Sequence, residues 1–192
     1  VLGFTFDSWD QNDMASELIS NIGHTVPLVV GAALLIFAAL HDIAARTIPN
    51  FVSALLIVLG LALRLPSGQL LSSAILAAIM FAVCTACWLR GWMGGGDVKL
   101  LTAAAVFVPP GNVGDMVVAT TLFGGAVGLA YLLARAIVRR TRAVPRSNLA
   151  RPPIRSLIGR VIRAEHWRLL RGAPLPYASA IAAGTLFVTM SG

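Results

Sequence analysis

Gly94-Gly95-Gly96-Asp97-Val98-Lys99-Leu100 lies in the middle of a chain that is otherwise mostly hydrocarbon. Three consecutive glycines are a poor start for a helix, and an aspartate is costly beside lipid. A membrane segment keeps such a stretch only where something offsets the cost. A second acid, Asp42, follows the apolar run from Val26 to Leu40. Asp42 and Asp97 are therefore candidate halves of one carboxylate pair.

The rest of the composition sets the solvent. The chain has 192 residues, 57% hydrophobic and 12% charged, with a mean hydropathy of +0.82. A soluble domain would carry about 25% charged residues. The apolar residues fall in long runs rather than at an amphipathic period, which points to an integral membrane protein. The expected fold class is all-α: a polytopic membrane bundle of about six transmembrane helices, with a basic amphipathic helix before the last span.

Net charge is +7, unevenly spread. Asp7, Asp10, Asp13 and Glu17 load the N-terminal residues with acid, and 11 of the 15 basic residues lie between Arg135 and Arg171. In a soluble protein that block suggests nucleic acid. Between membrane segments it reports orientation by the positive-inside rule, and no nucleic-acid partner is expected. The acidic flank of the first apolar run is unlike a secretory signal peptide. Cys84 and Cys87 have C-x-x-C spacing but sit inside an apolar run without a second pair, so helix packing is the simpler reading. No metal or cofactor is expected.

In chain order, residues 1–24 form an acidic, non-cytoplasmic segment, either a short interfacial helix or loose chain. Residues 25–192 form the six-span domain. Pro27 opens the first run, which ends at His41-Asp42 and gives way to a short turn, Ile43 to Asn50. Pro49 disfavours helix at Ile48 and marks the start of a second helix, Asn50 to Leu65. A third runs from Leu70 to Leu89, and a short fourth from Asp97 to Val108. The fifth runs from Asp115 to Val138, with Gly124 and Gly128 spaced for close packing. Residues 139–175 form an arginine-rich loop. Within it Ile154, Leu157, Ile158, Val161 and Ile162 repeat at helical spacing among Arg155, Arg160 and Arg163. Such a helix suits an anionic membrane surface, with a docked protein as the competing occupant. The sixth segment runs from Pro176 to Met190.

Crossing parity connects the two acids. The end of a first span and the start of a fourth lie on one face, whichever way up the protein sits. The loops holding Arg46, Arg90 with Lys99, and residues 139–175 share that face, which is therefore cytoplasmic, with both termini on the opposite side. Close carboxylates cannot both ionise easily, so a pair holds one proton. The ionised member can take a proton from a water that attacks a peptide carbonyl, and the protonated member can donate to the carbonyl oxygen. His41 points about 100° away from Asp42 on a helix. The glycines would let an extended substrate backbone approach Asp97. Taken singly, Asp97 also reads as a helix N-cap and Asp42 as an interfacial end charge.

At these residues the sequence resembles the prepilin peptidases, membrane aspartic proteases of the GxGD class. The family pattern is an Asp followed six residues later by Ile-Pro-Asn, then Gly-x-Gly-Asp-x-Lys-Leu. Asp42 with Ile48-Pro49-Asn50, and Gly94-Gly95-Gly96-Asp97-Val98-Lys99-Leu100, match it. Pro176-Tyr177-Ala178-Ser179-Ala180-Ile181-Ala182-Ala183-Gly184 is similar to the family's final-helix motif, with Ala178 where glycine is frequent. The resemblance implies Asp42 and Asp97 as catalytic residues. It implies a multi-pass protein of the bacterial inner membrane that cleaves the basic leader of type IV prepilin or pseudopilin precursors on the cytoplasmic side. Larger members carry a zinc-binding domain between the first spans and methylate the new N-terminus. Here a short turn joins Asp42 to Asn50, which gives no ground for methylation and resembles the short form of the Flp or tight-adherence pilus branch.

Two readings compete with the peptidase. One is a non-catalytic membrane assembly subunit of a pilus or secretion system. The other is a small transporter with proton-carrying acids, against which the chain shows no internal repeat. A basic leader and a basic cytoplasmic face repel each other unless the arginines are occupied by anionic lipid, so the 139–175 loop is assigned to lipid. Changing its arginines to glutamine should weaken binding to anionic vesicles in a flotation assay; unchanged binding, with normal cleavage in detergent, would refute the assignment.

Overall fold

The computed structural model describes residues 8–141 and 177–191. These residues form six helices: α1 (Ser8–Ala45), α2 (Asn50–Arg64), α3 (Leu70–Leu89), α4 (Gly95–Phe107), α5 (Val113–Thr141) and α6 (Tyr177–Ser191). A 3-10 turn, Pro110–Asn112, links α4 to α5. No strand occurs among the described residues. The expected amphipathic helix around Ile154 to Arg163, most of the arginine-rich loop and Pro176 lie outside them.

Alpha-helix 1 differs from expectation. It is one helix of 38 residues that runs through Pro27 and across residues 24 and 25 without a break. The acidic stretch from Ser8 onward is therefore neither loose nor a separate interfacial helix. At 1.5 Å per residue α1 is about 57 Å long, roughly twice a bilayer's hydrocarbon thickness. Its apolar part begins at Ser16. Helix α4 also starts earlier than expected. Gly94 is the extended N-cap (φ −74°, ψ 144°) and Gly95 and Gly96 form the first turn, so Asp97 is a first-turn residue and not the cap. An acid in that turn complements the positive end of the helix dipole, which offsets part of the glycine cost.

Three helical stretches are long and apolar enough to cross a membrane: Ser16–Ala45, Leu70–Leu89 and Pro110–Ile137. Helices α2 and α6 are apolar but shorter, at 15 residues each. Helix α4 has 13 residues and spans about 20 Å, two-thirds of a hydrocarbon core. Large apolar side chains point outward, among them Val29, Ile36, Leu71, Ile79, Leu122 and Leu132. An apolar exterior on long apolar helices is the pattern of a protein solvated by lipid.

The short helices fill the interior. Helix α4 packs against α2 and α3, and also touches α6; α6 lies against α1 and α5. Val98, Leu100, Leu101 and every residue from Ala103 to Val108 are buried. A helix apolar on all sides fits such an enclosed place. Helix α6 presents Ala178, Ala180, Ile181, Ala182, Gly184 and Thr185 inward. Between lipid-solvated helices, close packing replaces hydrophobic burial as the cohesive force, so small residues matter. At one end Arg64, 7% exposed, donates through Nη2 to the carbonyl of Phe107 at 3.0 Å. That bond satisfies a terminal carbonyl of α4 and places a cation at the negative end of its dipole.

Gly60 shows how tight the α2–α4 contact is. A Cβ there would lie 2.7 Å from the Val106 carbonyl oxygen and 2.8 Å from Phe107 Cα. Backbone cannot yield as a side-chain tip can. Gly60→Ala should destabilise the detergent-solubilised protein by about 1–3 kcal/mol, seen as a lower thermal midpoint. Gly125→Ala, with open space at its Cβ, should change stability by less than about 0.5 kcal/mol.

Candidate active site

The inward face of α1 sets the place of the first acid. Gly31, Leu35, Ala38 and Asp42 recur at helical spacing and all are buried. Asp42 is thus the last member of an apolar stripe, 7% exposed, at the end of α1. Its Oδ2 accepts a hydrogen bond from the Ala178 backbone N–H at 3.2 Å. Ala178 is in the first turn of α6, where backbone amides have no partner within the helix and the dipole favours negative charge. Ala178 is itself fully buried, so alanine fits at the position where the family motif favours glycine.

The second acid arrives on α4. Asp97 is half-buried, and its carboxylate accepts from the backbone amide of Gly94. The Asp42 charge acts on it, so the acids lie within electrostatic reach although they are far apart in sequence. The end of α1 and the starts of α2, α4 and α6 meet at this one end of the molecule.

The three glycines have distinct neighbours. A Cβ on Gly94 would lie 3.0 Å from Asp97 Oδ2, and one on Gly96 would lie 3.4 Å from Ile48. A Cβ on Gly95 would lie 3.5 Å from the Trp88 indole nitrogen. None of the three takes a positive φ; only at Gly94 would a Cβ be tight, against the Asp97 carboxylate, while Gly95 and Gly96 make ordinary van der Waals contact with Trp88 and Ile48. The Ile-Pro-Asn turn and the glycine stretch are thereby packed together. A hydrogen bond adds a second tie: Lys99 Nζ donates to Asn50 Oδ1 at 3.1 Å. Pro49 is the extended N-cap of α2 (φ −63°, ψ 133°), which is where its fixed φ is tolerated. All nine residues singled out from the sequence, Asp42, Ile48, Pro49, Asn50, Gly94, Gly95, Gly96, Asp97 and Lys99, converge here.

His41 is turned away from the acids. Its Nδ1 lies 2.7 Å from the Thr47 carbonyl oxygen, and its ring sits 5.7 Å from that of Phe37. Three contributors escaped the sequence reading. The Ala178 amide is a backbone donor, which no side-chain pattern reveals. Trp88 reads as one more interfacial aromatic. Tyr131, on α5, accepts a hydrogen bond at its hydroxyl from Arg46 Nη2 at 3.0 Å, with the guanidinium carbon 5.9 Å from its ring centroid. Its sequence signal is the single tyrosine of an otherwise largely apolar helix.

A buried acid and a half-buried acid, each with a backbone donor and within electrostatic reach, form an arrangement suited to moving protons to and from water. Comparison with known proteins bears on the same residues. Over residues 29–133 the chain matches the type IV leader peptidase family. No curated protein and no solved structure matches it. The family match covers more than half of the chain and contains both acids, the Ile48–Asn50 turn and Lys99. The chain is a member of the type IV leader peptidase family, whose proteins are membrane-embedded peptidases.

Proposed function

We propose that this peptidase is a two-aspartate endopeptidase that removes the leader of type IV prepilin or pilin-like precursors, of the Flp type. The observation that carries the reading is the meeting of Asp42 and Asp97 at one end of the bundle, within the family match. The ionised carboxylate takes a proton from water, and the resulting hydroxide equivalent attacks the scissile carbonyl carbon. The protonated carboxyl donates to the carbonyl oxygen as the tetrahedral intermediate forms. The intermediate then collapses, the C–N bond breaks, and the amine leaves with a proton from the pair. Asp42, facing the α6 amide, is the natural seat of the negative charge, which leaves the shared proton to Asp97.

Six crossings fit this reading. The α1, α3 and α5 stretches supply three, and the shorter α2, α4 and α6 supply the others from within the bundle. Short spans draw water and headgroups toward the acids, which a hydrolase needs. By the positive-inside rule, the basic residues near this end favour the cytoplasmic side of a bacterial inner membrane, with anionic lipid at the arginine-rich loop. The glycine run gives the substrate backbone room to approach, since Gly94 remains exposed.

The test is cleavage of a co-expressed prepilin precursor, read as shortening on a gel. Asp42→Asn and Asp97→Asn should each lower processing by about 10³-fold or more, since neither amide can trade a proton with water at the pair. Processing that survives either change would remove the two-carboxylate mechanism and leave a non-catalytic assembly role. A subtler loss is expected for Lys99→Met. Without its bond to Asn50 the α4 start loses one tie, and processing should fall about 3–10-fold at unchanged protein level.

A further inference from the structure

Arg46 stands just past the end of α1, four residues after Asp42, with φ +57°. It is the one non-glycine with positive φ among the described residues. Its backbone N–H closes the helix by donating to the Asp42 carbonyl at 2.8 Å. This is the left-handed position that usually ends a helix with glycine, because a Cβ there is strained. The chain keeps a long cation at that place. The side chain must then return something that glycine would not, and strain of this kind gathers where geometry serves function.

What it returns is the tie to α5. Arg46 Nη2 donates to the Tyr131 hydroxyl at 3.0 Å, and the guanidinium also lies 5.9 Å from the Tyr131 ring centroid. These residues are 85 apart in the chain. Arg46 is thus bonded through its backbone to the residue that carries one acid and through its side chain to a helix that carries neither. From this we infer that Arg46 and Tyr131 act together as positioning residues. They fix the end of α1, and with it the Asp42 carboxylate, at the distance from Asp97 that hydrolysis requires. The inference rests on the two-aspartate reading above.

Glycine makes the test unusually clean. Arg46→Gly relieves the strain at this φ, so it should leave the thermal midpoint unchanged or raise it, while kcat for a prepilin precursor falls about 10–100-fold at similar KM. Tyr131→Phe keeps the ring and loses only the hydroxyl, and should lower kcat in the same sense. The double variant should be no slower than the slower single one, because both remove one bond. Arg46→Gly at the wild-type rate would overturn the inference, as would a loss of activity that follows a loss of stability. Single losses that multiply in the double variant would show that the two residues do not act as a pair. A wild-type protein that shortens no precursor would overturn the function and the inference together, whereas active wild type with active Arg46→Gly overturns the inference alone.

Discussion

The molecule depends on holding two carboxylates together at the edge of an apolar interior. Each acid loses water there, and each repels the other. Backbone amides replace part of what is lost. Asp42 receives the Ala178 N–H from the start of α6, and Asp97 receives the Gly94 N–H at the start of α4. Two helix N-termini thus converge on one pair of acids, and their dipoles favour negative charge there. The remaining architecture can be understood as the means of bringing those ends to one place: short interior helices, small contact residues and a compact turn between α1 and α2.

That arrangement also explains the glycines. Their expected role was room for a substrate. The structure adds room for the protein itself at Gly94, which leaves space for the Asp97 carboxylate, while Gly96 lies in van der Waals contact with Ile48. The two motifs, separate in the chain, are in contact. Lys99 follows the same logic. In sequence it counts with Arg90 toward the face the acids share; in the fold it binds Asn50 and joins α4 to α2.

Much of this was legible from residue types. An acid at the end or in the middle of an apolar run is costly, so Asp42 and Asp97 stood out, and turn residues marked α2 and α3 to within a residue. The start of α1 was not legible, because Asp10, Asp13 and Glu17 read as solvated chain until the helix is seen to extend well beyond a bilayer's thickness. The start of α4 was misplaced because intrinsic glycine propensity was weighed without the tertiary contacts that override it. The Ala178 amide and the Arg46–Tyr131 bond depend on which helix ends meet, and a period along one helix carries no such information.

Arg64 and Gly60 give the central helix an unequal suspension. At its far end α4 is held by a buried guanidinium on the Phe107 carbonyl and by the Gly60 backbone pressed beneath Val106 and Phe107. At its near end it ends in exposed Gly94 and half-buried Gly95 and Gly96. A rod clamped at one end pivots there, and its displacement grows with distance from the clamp. Asp97 rides near the other end, about 15 Å from Phe107 and steadied there by the Lys99–Asn50 bond, so a tilt of α4 about its far end would change the gap to Asp42 most. Arg64 and Gly60, at the opposite end of α4 from the acids, are therefore also part of how closely those acids can meet.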